Sequence, residues 1–340
     1  MPTTRFILLR LLQMLVVIIG TVTVLFLVIY LMVPGDAAQV TLGNHATPES
    51  LDSLRRELGL DRPLWDQYGI YLNRLAHFDL GTSYELKRDV SGVILDHLPA
   101  TIYLTLAALF LETVFGVGWG IFLSLRRSSS LQAASAATGA LLLALPAFFL
   151  GLLLQYIFAS RLGVLPISGI GGWNPLNLIL PAVTLAAGQT AIIAAVSRSA
   201  LAGEMGKPYI LAARARGLTQ AQAMVRHGLR NSFGPVATLL AIDLGTLLGG
   251  AMITEIVFSW PGMGRMTYFA AEQRDVPLVV GAVLVLVMIF VVLNTFVDLV
   301  YGWLDPRVRA AGRVQRAGRT QAAGQAQAAG STGAAGDSLG

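Results

Sequence analysis

The chain has 340 residues, of which 55% are hydrophobic and only 13% charged, with a mean hydropathy of +0.66. Soluble domains carry about 25% charged residues, so this composition excludes a water-soluble globular or disordered chain, and nucleic-acid binding as the main role, despite a net charge of +5. Cysteine is absent, which excludes a disulfide scaffold.

The apolar residues fall in blocks. A helix needs about 20 mainly apolar residues to cross the bilayer core, and six segments qualify. The first, Leu11 to Val33, carries no charge. Arg5 and Arg10 precede it as in a signal sequence, but the run is about twice the 7–15 residues of a signal core, and no small-residue cleavage site follows. It is expected to stay as an anchor.

An outer segment, 34–97, comes next. Thr47 and Pro48 fit a helix N-cap and first position, with Leu51, Leu54 and Leu58 on one face and Gly59 at the stop. Leu64 to Ala76 places Tyr68, Leu72 and Leu75 on one helical face. These helices read as a lid on the membrane face or as a docking surface.

The second span is expected from Leu98 to Leu125 with Glu112 inside, the third from Leu131 to Ser160, and the fourth from about Leu176 to Val196. The inner loop 198–235 follows. Within it, Pro208 to Arg216 reads as a short helix ended by Gly217. Thr219 with Gln222 is a capping-box signature that opens a second helix through Arg230. The fifth span, about Val236 to Phe258, contains Asp243 and Glu255, and the sixth, Pro277 to Trp303, contains Asp298. From Arg313 the chain is Ala, Gly, Gln and Ser with scattered Arg, which cannot offset chain entropy by burial. A disordered tail is expected over 310–340.

Charge sets the orientation. The N-terminus, the loops near Arg126 and Arg198–Pro235, and the tail hold 15 basic residues against three acids, whereas 34–97 holds six basic and ten acidic residues. Both termini are therefore expected in the cytoplasm. The fold class is all-α, with six transmembrane helices.

Chemical motifs are mostly missing. There is no Walker-type glycine loop and no His-Glu-x-x-His, and His45, His77, His97 and His227 are scattered. Pro166-Ile167-Ser168-Gly169 fails the Gly-x-Ser-Gly pattern of a membrane serine hydrolase. A basic inner loop ordinarily touches lipid headgroups, and a loop tethered between two spans is too short for a DNA-binding domain. Acids within spans are functional candidates because hydrocarbon penalises a bare charge. Glu112, Asp243, Glu255 and Asp298 are therefore candidates for pore or subunit contacts, and Glu112 or Asp243 could centre a stand-alone proton-coupled carrier. Gly116 with Gly120, and Gly245 with Gly249, allow close helix approach, within the chain or between subunits.

Beyond these readings, the chain resembles a known family. Leu58-Gly59-Leu60-Asp61-Arg62-Pro63, Asp79-Leu80-Gly81-Thr82-Ser83, Leu98-Pro99-Ala100-Thr101 and Leu165-Pro166-Ile167-Ser168-Gly169 occur in the family's order. The inner loop supplies Tyr209-Ile210-x-x-Ala213-Arg214-Ala215-Arg216-Gly217-Leu218, then Arg226-His227 and Asn231-x-x-x-Pro235. Glu255-x-x-Phe258-Ser259-Trp260-Pro261-Gly262-Met263-Gly264, Arg274-Asp275-x-Pro277, Asn294-x-x-x-Asp298-x-x-Tyr301 and Asp305-Pro306-Arg307 complete the series. Together they resemble the permease subunits of ABC importers, in the branch serving dipeptides, oligopeptides and nickel. The broader family's Glu-Ala-Ala opening stands here as Leu211-Ala212-Ala213, without the glutamate.

The resemblance implies a type I importer permease fold in a bacterial or archaeal cytoplasmic membrane. It implies a second homologous permease, two cytoplasmic ATPase subunits that bind ATP and Mg, and an extracytoplasmic substrate-binding protein. It implies no cofactor, metal or catalytic residue on this chain. Tyr209, Ala212 to Gly217, Arg226, His227, Asn231 and Pro235 would couple to the ATPase. Gly217 would supply the turn, Ala213 and Ala215 a close contact, and Arg214 and Arg216 partners for ATPase carboxylates.

Overall fold

Long apolar runs become long helices, and the breaks between them trace to prolines and caps. The computed structural model describes residues 2–32, 47–58, 61–126 and 128–304, so Arg127, Leu60, Asp305, Arg307 and the expected tail lie outside the described residues. The chain divides into two units, 1–294 and 295–340; of the second, residues to Leu304 are described, and from Val297 onward by backbone alone. Among the described residues the elements are α1 (Pro2–Met32), α2 (Pro48–Leu58), α3 (Leu64–Ala76), α4 (Val90–Leu125), α5 (Ser129–Ala144), α6 (Ala147–Leu154), a π-helical turn (Gln155–Arg161), α7 (Pro175–Glu204), α8 (Pro208–Ala215), α9 (Gln220–Ala223), a second π turn (Met224–Gly228), α10 (Leu229–Val257), α11 (Met263–Glu272) and α12 (Val276–Leu304).

Several boundaries follow from local chemistry. At the start of α2, Ser50 N donates to Thr47 Oγ1 at 3.2 Å, as the N-cap reading requires. α3 begins and ends where the periodicity placed it. α4 starts eight residues before the expected Leu98, because Asp89 caps it by accepting from Gly92 N at 3.2 Å. α7 opens on Asn174, which accepts from Leu176 N at 3.0 Å with Pro175 in the first turn, and it runs on past Val196 to Glu204.

The third expected span is corrected. Leu131 to Ser160 is not one straight helix: α5 and the α6–π segment meet at an angle of 104°. Pro146 causes the break, since a residue before proline is driven out of the helical region, and Leu145 is extended at ψ 127°. Among the described residues four helices are long and apolar enough to cross a membrane, or six if each bent pair is one span, the second being bent by 56° near residue 248. There Gly249 and Gly250 weaken the helix.

The bundle centres on α4 against α7, with α10 packed on both. Gly116 and Gly120 make that approach possible. A Cβ on Gly116 would lie 2.7 Å from Ile193 Cγ2, and one on Gly120 would lie 2.5 Å from Ser197 Cβ. This small-residue pair is therefore spent on packing within the chain. Gly245 likewise accommodates the Phe290 ring, whereas a Cβ on Gly249 would meet nothing within 4 Å. α1 packs on α3 through Phe26, whose ring lies 5.2 Å from Tyr68 and 5.7 Å from Tyr71. Leu11, Leu12, Leu15 and Val16 are left exposed along α1. Such a face is stable against hydrocarbon and not against water.

Candidate coupling site

The inner loop is a small packed body. α8 begins with Pro208 in its first turn and ends before Gly217, whose φ of +95° admits glycine far more readily than any residue with a Cβ. Thr219 then caps α9: Gln222 N donates to Thr219 Oγ1 at 3.2 Å, and Thr219 N donates to Gln222 Oε1 at 2.9 Å. The capping box thus forms as its spacing implies. The helix it opens does not stop at Arg230, however. It passes through the Met224–Gly228 π turn directly into α10. The loop is therefore one short helix, a glycine turn, and the inner end of a bundle helix.

Apolar contacts fix this unit to the bundle. Ile210 and Ala213 of α8, Ala223 and Met224 of the following helix, and Leu201 of α7 are buried together. Ile121 and Leu125 from the end of α4, and Leu229 from α10, pack against them. Ala213 consequently faces the chain's own core, which corrects its expected role in an intersubunit contact. Ala212, Ala215 and Leu211 are exposed instead.

A polar clamp holds the start of α8. The Glu204 carboxylate, at the end of α7, accepts from Lys207 Nζ at 2.6 Å and from the Tyr209 hydroxyl. Asn231 in the first turn of α10 interacts with the same hydroxyl. Burial, then donation to Glu204, pushes the Tyr209 pKa up, so the phenol stays a donor at neutral pH. Pro235, within α10, offers no N–H to the Asn231 carbonyl one turn back.

The outward side of this unit is cationic. Arg214, Arg216, Arg226, His227 and Arg230 are all exposed, and the four arginines form no ion pair with another described residue. Exposed guanidinium groups on a rigid support suit bidentate pairing with carboxylates of a second protein.

The span carboxylates behave differently from one another. Glu255 was expected at a pore or subunit contact, but it is 0% exposed and works as an internal helix cap. Thr101 Oγ1 donates to its Oε1 at 2.6 Å, Arg265 N donates to Oε2 at 2.8 Å, and Met263 N donates to Thr101 Oγ1 at 2.7 Å. Glu255 and Thr101 so satisfy the amides of the first turn of α11, which have no partner within the helix. This explains the glycines of the Trp-Pro-Gly-Met-Gly turn, since a Cβ on Gly262 would fall 2.1 Å from Glu255 Oε1.

Glu112 and Asp243 are buried between α4 and α10, also away from any open surface, so neither is a surface contact in this conformation. They are close enough to interact, but neither Glu112 oxygen has a hydrogen bond of good geometry with a described residue. Among the described residues, Asp243 accepts from Thr246 Oγ1 at 2.7 Å, and its other oxygen has no partner. The Asp298 side chain lies outside the described residues.

Two functional positions escaped the sequence reading. Glu204 stood out only as one acid in a basic loop, and its clamp depends on three segments meeting. Asp275 was part of the Arg274-Asp275-x-Pro277 resemblance without a role. It is buried, accepts from Ser83 Oγ and from Tyr84 N at 3.1 Å, and so ties the 79–90 hairpin to the start of α12.

Comparison with known proteins bears on this architecture. Residues 116–310 match the model of the binding-protein-dependent transport system inner membrane component, and residues 3–105 match the N-terminal model of the same membrane components. The dipeptide transport system permease protein DppB of Alkalihalophilus pseudofirmus is 37% identical over 326 residues, covering 88% of this chain and 98% of its own length. The glutathione transport system permease protein GsiC of Escherichia coli (strain K12) is 33% identical over 298 residues, covering 86% and 97%. Among solved structures, an inward-facing conformation of the MetNI methionine ABC transporter shares the fold, with a TM-score of 0.54 and 19% identity over 63% of this chain and 97% of that one.

Proposed function

Because the chain belongs to the family of binding-protein-dependent transport system inner membrane components, as a non-catalytic permease subunit, we propose that its cargo is a dipeptide or short oligopeptide. The names of its dipeptide and glutathione relatives support a peptide cargo and do not favour nickel. Nor does kinship with permease subunits favour a stand-alone proton-coupled carrier.

In this reading a second, related permease completes the pore, and an extracytoplasmic binding protein delivers the peptide. Two ATPase subunits hold ATP and its magnesium. Both termini and the inner loop face the cytoplasm, as the distribution of arginine supports. One observation carries the coupling assignment: exposed Arg214 and Arg216 sit on a helix whose opposite face, Ile210 and Ala213, is packed into the ends of α4, α7 and α10. A push on α8 from an ATPase groove cannot be absorbed locally and reaches three bundle helices. ATP then biases the equilibrium between pore conformations, by its differential binding to the closed ATPase pair.

The test is uptake of a labelled dipeptide by vesicles holding the assembled transporter with its binding protein. Gly217→Pro forces φ to about −65° where the turn needs +95°. The variant is expected in the membrane at normal level, with uptake and binding-protein-stimulated ATP hydrolysis both lost. Normal uptake would overturn the coupling assignment. Normal ATP hydrolysis and uptake of Ni²⁺ but of no peptide would overturn the cargo.

A further inference from the structure

A cavity separate from the coupling loop lies where α3, the 79–90 hairpin and the first turns of α12 meet. It holds about 460 Å³. One wall is Val276, Val280 and Leu284, successive turns of one face of α12, so the cavity descends about 12 Å along that helix. That stretch belongs to the most apolar membrane-crossing candidate among the described residues. The lower part of the cavity therefore lies at hydrocarbon depth, where an apolar hollow forfeits dispersion contacts unless an acyl chain fills it.

The upper end is chemically different. Arg74 of α3 and Lys87 of the hairpin border it, and neither is ion-paired with a described residue. The one acid there, Asp79, already accepts from Gly81 N at 2.9 Å. Tyr71 lines the same cavity, and its buried hydroxyl has no hydrogen-bond partner among the described residues. Burial, with Tyr68 nearby, pushes its pKa up to about 12, so the hydroxyl remains a donor. Two cations and one donor, all without a partner among the described residues, above an apolar slot complement a phosphate attached to a hydrocarbon chain.

We propose that this cavity holds one anionic phospholipid, its phosphate between Arg74 and Lys87 and an acyl chain along Val276, Val280 and Leu284. The lipid would brace the hairpin against α12 beside the Asp275 tie. The reading is independent of the cargo.

The test uses the assembled transporter in phosphatidylcholine nanodiscs doped with phosphatidylglycerol that carries a diazirine in its acyl chain, with the matching phosphatidylcholine probe in parallel. After irradiation, cross-links are mapped by mass spectrometry. Phosphatidylglycerol is expected to label the 276–284 stretch about thirtyfold more than phosphatidylcholine, from two cations acting on one net charge. The double variant Arg74→Gln, Lys87→Gln should bring the two probes level while assembly by size-exclusion chromatography is unchanged, and Leu284→Trp should lower both. Equal labelling by the two probes in the unmodified protein would overturn the proposal. So would displacement by soluble glycerol phosphate, which would mark a free-phosphate site. Labelling of the isolated chain that vanishes in the assembled transporter would mean that a protein partner covers the cavity, and would also overturn it.

Discussion

Replacing Ile210 by alanine probes whether α8 is a rigid lever. Ile210 is 1% exposed, packed among Leu201, Ala213 and Met224. Removing three buried carbons costs about 2.4 kcal/mol in transfer at ~0.8 kcal/mol per methylene, and the cavity left behind raises the total into the range of about 2–5 kcal/mol. α8 is only eight residues long, too short to persist without its packing. The loss therefore appears as local undocking of residues 208–217. Each 1.4 kcal/mol is a factor of ten in an equilibrium, so amide exchange there should accelerate about thirtyfold or more, with little change in α4 or α7. Leu211→Ala is the internal control, because Leu211 is 51% exposed and outside the cluster. Its exchange should match the unmodified protein. If both variants exchange alike, or if Ile210→Ala leaves uptake intact, the loop does not act as a packed lever.

Other outcomes follow from the same contacts. Glu255→Ala leaves Arg265 N and the Thr101 hydroxyl without their buried acceptor, a loss of about 3 kcal/mol or more, read as a lower thermal midpoint in detergent. Glu112→Gln should not lower that midpoint, since neither carboxylate oxygen is hydrogen-bonded within the described chain; a clear drop in the assembled complex would mean that a second subunit supplies a partner. Gly217→Val places a β-branched residue at φ +95°, costing about 1–2 kcal/mol, and should reduce uptake less than Gly217→Pro. The raised Tyr209 pKa favours the neutral phenol in the folded loop. Its contribution is therefore complete below the phenol's ordinary pKa of about 10 and is lost as pH climbs through the folded value. Amide exchange in 204–216 should show that alkaline loosening, and Tyr209→Phe should remove it.

Where local chemistry decides, the sequence is a good guide. α3 starts at Leu64 and ends at Ala76 because periodicity and flanking residues bound it, and Thr219 with Gln222 forms its capping box because both partners lie within one turn. The six apolar blocks are legible for the same reason: hydropathy sums over neighbours in sequence. That sum is blind to direction, so Pro146 bends the third block by 104° without changing its hydropathy. It also missed the early start of α4, where one residue, Asp89, outweighs the polar composition that follows.

The candidate site divides along the same line. That 208–217 is a helix closed by a glycine turn was readable, as was the cluster of arginines. Which side of the helix each residue takes was not: Ala213 and Ala215 are alike in sequence, yet one is buried against Ile210 and Leu201 and the other is exposed. The span acids make the point most clearly. Sequence alone determined that four carboxylates lie in or beside apolar segments, which made each a costly group in need of a reason. Only the tertiary structure separated Glu255, satisfied by the hydroxyl of a distant helix and by the amide of Arg265 across the turn into α11, from Glu112, buried without such donors among the described residues. Hydrocarbon fixes the cost of a charge from the local sequence, but the compensating hydroxyl comes from Thr101 in another helix, and the compensating amide, Arg265 N, is brought back onto Glu255 by the turn into α11.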